Sequence, residues 1–233
     1  MKKTFAIVAV LVITAIAAYF MLQNPLGRLV KMAVEEFGPE MTQAAVKVSK
    51  VEISATDGRG ALSRLFLGNP KGFKSDYALK AGTVEIELEP ASLAKDVIVI
   101  HKILIDAPQI GYEKADGITN FDAIQRNVEE YLGTKSDKSE KTKQSSKKMI
   151  IDSFVIRNAK VNYNGLLELT LPDIELRNVG KKTGGATSAQ VVKAIIAELN
   201  TRLALALAKA AVAGGVGGVV VGAGAAIKNL FGK

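Results

Sequence analysis

The sequence begins with a long apolar run from Phe5 to Leu22 that contains no charged residue and follows two lysines. The run is close in length to the roughly 20 residues of a membrane-spanning helix, and it exceeds the core of about 7–15 residues in a secretory signal. We therefore predict an uncleaved signal-anchor over residues 1–22, with a cytoplasmic N-terminus and the rest of the chain exported. A cleaved signal peptide is the alternative, because Ala15–Ala17 has the small-x-small pattern of a cleavage site.

A short helix is predicted directly after this run. Asn24 can cap the helix, Pro25 occupies its first position, and apolar residues recur at helical spacing up to Phe37. The following Gly38–Pro39 ends the pattern. This helix would carry the chain from the bilayer onto a folded domain.

Alternation of apolar and polar residues then predicts β-strands. The phase of the alternation changes between Val48 and Val51, which predicts a β-bulge near Lys50. A later strand alternates apolar residues with three glutamates. Residues 97–105 after it are apolar apart from His101 and Lys102, as in a strand that is covered on both sides or leads into a kink. The apolar residues that we single out in these two strands are Val84, Ile86, Leu88, Ile98 and Ile100.

A second set of strands follows an amphipathic helix that begins at a capping Asn120 and ends near residue 132. Residues 133–148 are rich in lysine and serine and predict a disordered basic loop. The pattern of residues 103–112 recurs in residues 154–163 at a constant offset of 51, as if similar hairpins lay side by side. We expect one domain over residues 23–180, built as a bent antiparallel β-meander.

The C-terminal part, residues 187–233, changes to a helical period. A stripe of apolar residues from Val191 to Leu207 predicts an amphipathic helix. The glycine-rich tail that follows carries no charge between Ala210 and Ile227, and three interpretations stay open: an interfacial helix hairpin, a flexible tail or a second membrane span. The predicted class is therefore mainly β with helices (α+β).

Composition narrows the possible chemistry. The chain has no Cys and a single His, so it holds no thiolate site and no multi-histidine metal site. The net charge is +8, but the basic surplus lies in the predicted loop and the C-terminal part, without the aromatic residues of a nucleic-acid surface. We find no nucleophile, metal or dinucleotide motif, and we predict no catalytic residue, no metal, no cofactor and no enzymatic activity.

The most specific string of the chain predicts a turn. Asparagine, proline and glycine occupy the first, second and fourth positions, which are the preferences of a type I turn. The Lys-Ser/Thr of a phosphate-binding loop does not follow. The residues of this turn motif are Gly68, Asn69, Pro70, Gly72 and Phe73.

Three strings together resemble a known family. They are Leu67–Phe73, Ile105–Ile110 and Asn120–Ile124, and with the apolar run at the N-terminus they are similar to the N-terminal region of the AsmA-like family of Gram-negative bacteria. The resemblance covers roughly residues 1–180 and implies a short member of the family. It implies a single-pass inner-membrane protein with a periplasmic bulk, related in fold to chorein-type bridge lipid-transfer proteins.

The resemblance further implies an apolar groove that binds membrane phospholipid for lipid transfer or outer-membrane maintenance. The five apolar strand residues named above are then the candidates for its lining. About ten strands, at about 4.8 Å each, would give a groove roughly 45 Å long. The alternative is a non-enzymatic scaffold of the cell envelope that binds a protein partner.

Overall fold

The computed structural model describes residues 25–54, 56–138 and 147–212, and the fold is α+β. Within this part of the chain, a curled mixed sheet of ten strands and a two-stranded hairpin are accompanied by three α-helices. The predicted anchor from Phe5 to Leu22 and the glycine-rich tail beyond Val212 lie outside the described residues. None of the helices described combines the length and the apolar character that crossing a bilayer requires.

The elements follow the chain in a simple order. The helices are α1 Pro25–Thr42, α2 Asn120–Lys138 and α3 Ser188–Val212. The strands of the sheet are β1 Val46–Lys47, β2 Lys50–Ser54, β3 Arg59–Leu67, β4 Leu79–Leu88, β5 Val97–Asp106, β6 Gln109–Tyr112, β9 Lys148–Arg157, β10 Lys160–Tyr163, β11 Leu167–Thr170 and β12 Ile174–Val179. The hairpin consists of β7 Lys114–Ala115 and β8 Ile118–Thr119, and 3₁₀ turns occupy Pro90–Ala94 and Lys181–Thr183.

The ten strands of the sheet lie in six lines, because several strands follow one another end to end along the same neighbour. Strands β1 and β2 both pair with β3, and β5 and β6 both pair with the same side of β4. Strands β9 and β10 form the next line, and β12 and β11 form the last. With about 4.8 Å between lines, the sheet is about 24 Å wide, which is narrower than ten strands side by side would be.

Apolar rows cross the sheet on the face that carries the core, called here the inner face. One row consists of Val51, Leu62, Val84, Ile105, Ile156 and Ile174, each paired with the next. A second row consists of Val46, Leu67, Leu79, Ile110, Val161 and Leu169. These rows pack against the helices and form one hydrophobic core.

The sheet bends between these two rows. Arg64, Ala107 and Asn158 lie at this level with left-handed φ values of 51°, 48° and 55°, which are uncommon for residues other than glycine. The register of β1 and β2 against β3 is the same on both sides of the bend. The predicted bulge near Lys50 is therefore wrong: no residue is inserted, and the phase changes because neighbouring strands bend together.

The sheet is mixed, which corrects the predicted antiparallel meander. Strand β5 pairs in parallel with β9, and β6 pairs in parallel with β10. Both pairings join residues that are 51 positions apart, such as Ile105 with Ile156 and Tyr112 with Tyr163, so the sequence repeat is also the register of the sheet. The two similar segments do lie side by side, but each consists of two strands end to end in one line rather than a hairpin, and the two segments run in the same direction.

Helix α2 belongs to the connection that makes this parallel pairing possible. Parallel neighbours need a crossover between the end of one strand and the start of the next, and a helix of 19 residues returns the chain by about 28 Å. The helix continues to Lys138, so the first part of the predicted loop 133–148 is helical, and β9 begins at Lys148. Residues 139–146 lie outside the described ranges.

The three helices pack in sequence order against the sheet. Helix α1 packs on β1 and β2, helix α2 lies between α1 and α3, and α3 packs on β11 and β12. The helical stripe predicted in residues 191–207 is confirmed, since Val191, Leu199, Leu203 and Leu207 are buried. The space between the inner face and helices α2 and α3 contains the candidate site.

Candidate functional site

A cavity of about 280 Å³ lies between the inner face of the sheet and helices α2 and α3. Its sheet wall consists of Leu67, Leu79, Ile105, Ile110, Phe154 and Ile156. Its helix wall consists of Phe121, Ile124, Val128, Val192, Ile195, Ile196 and Leu199. Thr42, the last residue of α1, contributes the single polar side chain of this lining.

Helix α2 is positioned over the cavity by a capping box at its start. The hydroxyl of Thr119 accepts a hydrogen bond from the backbone N–H of Asp122 at 3.0 Å, and the Asp122 carboxylate accepts one from the N–H of Thr119 at 3.1 Å. The predicted capping by Asn120 is therefore replaced by a cap one residue earlier. The apolar stripe of α2 then faces the sheet.

Helix α3 begins with a similar reciprocal cap. The hydroxyl of Thr187 accepts a hydrogen bond from the N–H of Gln190, and the Gln190 amide oxygen accepts one from the N–H of Thr187 at 2.9 Å. Further along, Tyr112 donates its hydroxyl proton to Asn200 at 2.8 Å, which ties α3 to the sheet. Burial raises the pKa of Tyr112, so the phenol stays protonated and keeps this hydrogen bond.

The residues of the lining are not equally covered. Thr42, Leu67, Leu79, Val192 and Ile195 are half-buried, whereas the rest of the lining is buried. These five residues come from the end of α1, the adjoining ends of β3 and β4, and the first turns of α3. We call these five residues the rim, because they are the part of the lining that solvent reaches.

The five apolar residues singled out in the sequence share the inner face but do not line the cavity. Val84 is buried and pairs with the lining residue Ile105, and Ile86 pairs with Ile103, the neighbour of the lining residue Phe154. A β-bulge after Glu87 shifts the register, so that Leu88 pairs with Ile100. Ile98 pairs with Met149 one row further out.

These outer rows form a half-buried apolar strip, which we define as Leu88, Ile98, Ile100 and Met149. The strip continues the inner face from the cavity toward the end of the sheet where β4 finishes and β5 and β9 begin. In the same region Ile151 is buried, together with Ala186 and Val191 at the start of α3. The start of α3 thus covers β9 and leaves the strip half-exposed.

Sequence reasoning missed the helix residues of the lining. The 3-4 spacing of Phe121, Ile124 and Val128 and the stripe from Val192 to Leu199 predict helix faces that pack on a core, and both faces do so. The spacing contains no signal for the empty space between those faces and the sheet. That space depends on how far the helices stand from the sheet, which is a tertiary property.

The turn motif has a structural explanation in a polar network. The chain turns at Lys71–Gly72, where Gly72 has a φ of 101°, and Pro70 is buried. Asn69 donates a hydrogen bond to the Ser75 carbonyl and accepts one from Asn120, both at 2.7 Å. Gly68 is buried next to Ala45, and Phe73 is half-buried.

A second, polar cavity of about 330 Å³ adjoins this network. Its most buried charge is Glu113, whose carboxylate accepts hydrogen bonds from the N–H of Lys74 and from the N–H and hydroxyl of Ser75 at 2.6–3.0 Å. Burial raises the pKa of Glu113, but the hydrogen bonds outweigh burial and hold it below its usual value. A carboxylate with this many donors is already satisfied, so its role is to fix the loop.

No group of three or more His, Asp or Glu side chains in the described ranges is arranged to hold a metal ion. His101 lies on the outside of the β-bulge, 3.1 Å from Asp152 and 3.8 Å from Glu89. All three side chains are at least one-third exposed, as expected of a solvated ion-pair group. The apolar cavity is therefore the most distinctive site of the described chain.

Comparison with known proteins assigns the chain to no family. The chain matches no family model, and no curated protein matches it significantly.

Proposed function

We propose that this chain is a non-enzymatic, membrane-attached protein that binds an acyl chain of a phospholipid in the apolar cavity. In this proposal the anchor at residues 1–22 holds the protein in the inner membrane, and the domain lies in the periplasm. Binding of single lipids would contribute to lipid transfer or to maintenance of the outer membrane. The observation that supports this proposal is the apolar cavity, whose lining contains a single hydroxyl group.

The lining of this cavity has few hydrogen-bond partners for water. Apart from the Thr42 hydroxyl it is apolar, whereas a bound water typically makes about 2–4 hydrogen bonds to polar groups. Covering apolar surface that would otherwise face water is favourable, at roughly 25 cal/mol for each Å². The lining therefore favours an apolar ligand over water.

The size of the cavity limits the ligand to part of a lipid. It is nearly twice the engineered cavity of about 150 Å³ that stays dry and binds benzene, and it is at the lower end of the volumes of small-molecule pockets. We therefore propose that one acyl chain enters and that the headgroup stays at the rim. The hydroxyl of Thr42 is the polar group of the lining, and it donates a hydrogen bond to the Gly38 carbonyl at 2.8 Å.

The resemblance to the AsmA-like family supports the same proposal. Of the three strings that carry the resemblance, Leu67–Phe73 and Asn120–Ile124 touch through Asn69 and Asn120. Both strings also contribute to the cavity, through Leu67, Phe121 and Ile124. The similarity in sequence is thus concentrated around the proposed binding site.

A protein-binding scaffold is the second candidate, because strand β12 has no second neighbour in the described part of the sheet. An extended segment of an envelope partner could pair with that edge through main-chain hydrogen bonds. The two candidates differ in what the purified protein carries. A scaffold needs no lipid, whereas a lipid carrier should retain one.

The test is mass spectrometry of lipids that remain with the full chain after purification in mild detergent. Ile195→Trp places a larger apolar side chain at the rim of the cavity without adding charge. The matched control is Leu205→Trp on the same helix, since Leu205 is 48% exposed and does not line the cavity. We expect a stoichiometric phospholipid with the wild type and with the control, and its loss with Ile195→Trp.

Circular dichroism and urea unfolding of the same samples show whether each variant is folded. A folded wild type without lipid would contradict the proposal and favour the scaffold. Equal lipid content in both tryptophan variants would show that lipid binds outside this cavity.

A further inference from the structure

The first half of α1 carries an apolar stripe that the domain does not cover. Leu29 and Met32 are each 59% exposed, and Leu26 is 44% exposed. Monomeric proteins tolerate single exposed apolar residues, but a stripe along one helix face is typical of an interaction surface. Glu36 follows seven residues after Leu29 on this face, and Phe37, about three turns after Leu26, is also 44% exposed.

The opposite face of α1 is fixed to the sheet, which holds the stripe outward. The Lys31 ammonium donates a hydrogen bond to the Ser49 carbonyl, and the Glu35 carboxylate accepts one from the N–H of Val48, both at 3.0 Å. Helix α1 packs along β1 and β2 in the antiparallel sense, since it ends just before β1 begins. The start of α1 therefore lies toward the Ser54 end of β2.

The sequence in front of α1 indicates what covers the stripe. The apolar run from Phe5 ends at Leu22, only three residues before α1 begins at Pro25. If that run is in a bilayer, the first turns of α1 are at the bilayer surface. The exposed Arg28 lies among the stripe residues and suits anionic headgroups.

We propose that the stripe of Leu26, Leu29 and Met32 lies in the interface of the membrane that holds the anchor. The anchor then does more than tether the domain, because contact along α1 fixes the orientation of the domain. The end of the sheet that includes Ser54 faces the bilayer. Ser54 of β2 pairs with Arg59 of β3, and Arg59 pairs with Glu87 of β4. Glu87 is the chain neighbour of Leu88, so the half-buried strip lies at the same end of the sheet as Ser54.

This inference rests on the membrane attachment in the proposed function, and it does not require lipid in the cavity. A second copy of the chain is the other occupant to exclude, because two such stripes could also cover each other. The experiment therefore separates attachment, contact of α1 with the bilayer, and dimerisation.

The natural chain has no Cys, so a single cysteine can be labelled without background. The full chain with Met32→Cys carries a nitroxide and is reconstituted in vesicles of phosphatidylethanolamine and phosphatidylglycerol. Collision of the nitroxide with oxygen, which is enriched in lipid, is compared with collision with a water-soluble nickel chelate. The control is Leu166→Cys, since Leu166 is 84% exposed in the hairpin at the opposite end of the sheet.

We expect the ratio of oxygen to nickel collisions to be several-fold higher at residue 32 than at residue 166. Equal ratios in protein that floats with the vesicles would overturn the inference and leave the attachment intact. Failure to float would contradict the attachment and the proposed function together. Efficient cross-linking of two chains through residue 32, with the label shielded from both reagents, would assign the stripe to a second copy instead.

Discussion

Asn120 is completely buried and connects parts of the chain that are far apart in sequence. Its amide donates hydrogen bonds to Asn69 and to the carbonyl of Gly111, both at 2.7 Å, and its oxygen accepts one from the N–H of Glu113 at 3.0 Å. The side-chain amide of asparagine supplies both hydrogen-bond donors and an acceptor. An aspartate carboxylate would supply only acceptors, and alanine would supply neither. Two of the strings most noticeable in the sequence are therefore held together by one buried side chain.

Glu113 makes the stability of the same region depend on pH. Its pKa is lowered in the folded protein, so its contribution to stability is present above its unfolded pKa and is lost as the pH falls through the folded value. In Glu113→Gln, an NH₂ group faces the donors of Lys74 and Ser75. We expect this variant to lose about 1–3 kcal/mol of unfolding free energy at neutral pH.

Urea unfolding at a series of pH values checks this prediction. The difference between wild type and Glu113→Gln should shrink as the pH falls, because the wild type loses its carboxylate while the variant has none to lose. Asp57→Asn is a suitable control, since Asp57 is an exposed acid in the turn before β3. A difference for Glu113→Gln that does not change with pH would show that shape rather than charge holds the loop.

At the scale of the elements, the bend across the sheet decides the shape of the site. Three residues in different lines of the sheet, Arg64, Ala107 and Asn158, adopt left-handed backbone at the same level. Glycine adopts this conformation without a steric cost, whereas for other residues it costs about 1–2 kcal/mol. The strain is stored between the two rows of the inner face that contribute to the cavity.

Replacing Ala107 by glycine tests this explanation. Ala107 has a φ of 48°, so Ala107→Gly should relieve strain and raise the unfolding free energy by about 1 kcal/mol. The control is Ala61→Gly within β3, where φ is not positive and glycine should cost about 0.5–1 kcal/mol. Chemical denaturation of both variants measures the two effects. Destabilisation by both substitutions would mean that the bend at Ala107 is not strained.

At the scale of the whole molecule, the half-buried strip and the cavity are successive parts of one inner face. Ile98 and Ile100 lie on the strip, and Ile103 and Ile105 continue the same strand to the lining of the cavity. If lipid reaches the cavity along this face, a charge on the strip should slow its arrival. The same charge on the other face of the strand should not.

Ile98→Lys and Val99→Lys make this comparison at adjacent positions of β5. Both residues are half-buried, but Ile98 pairs with Met149 on the inner face and Val99 pairs with Ile150 on the outer face. We expect slower uptake of a fluorescent phospholipid from vesicles with Ile98→Lys and an unchanged rate with Val99→Lys. Equal rates would place the route at the rim formed by α1 and α3 instead.

The sequence by itself determined the local elements of this protein. The spacing of α1 and the stripe of α3 predict helices that the structure confirms, because helical periodicity is set by residues three and four apart. The predicted end of α1 at Gly38–Pro39 is wrong, since Pro39 lies inside the helix and α1 continues to Thr42. The repeat at an offset of 51 predicts that the two similar segments are neighbours, and they are, although neither is a hairpin. The apolar side of the strand from Val84 to Leu88 is also recognised from alternation alone.

Only the tertiary structure decided the direction of those two segments and the place of the site. Alternation assigns residues to two faces but does not distinguish parallel from antiparallel neighbours, so the return of the chain through α2 could not be predicted from β5 and β9. The cavity joins side chains from Thr42 to Leu199. Its volume is the space left after sheet and helices pack, and no local pattern encodes it, because packing depends on residues that are distant in sequence.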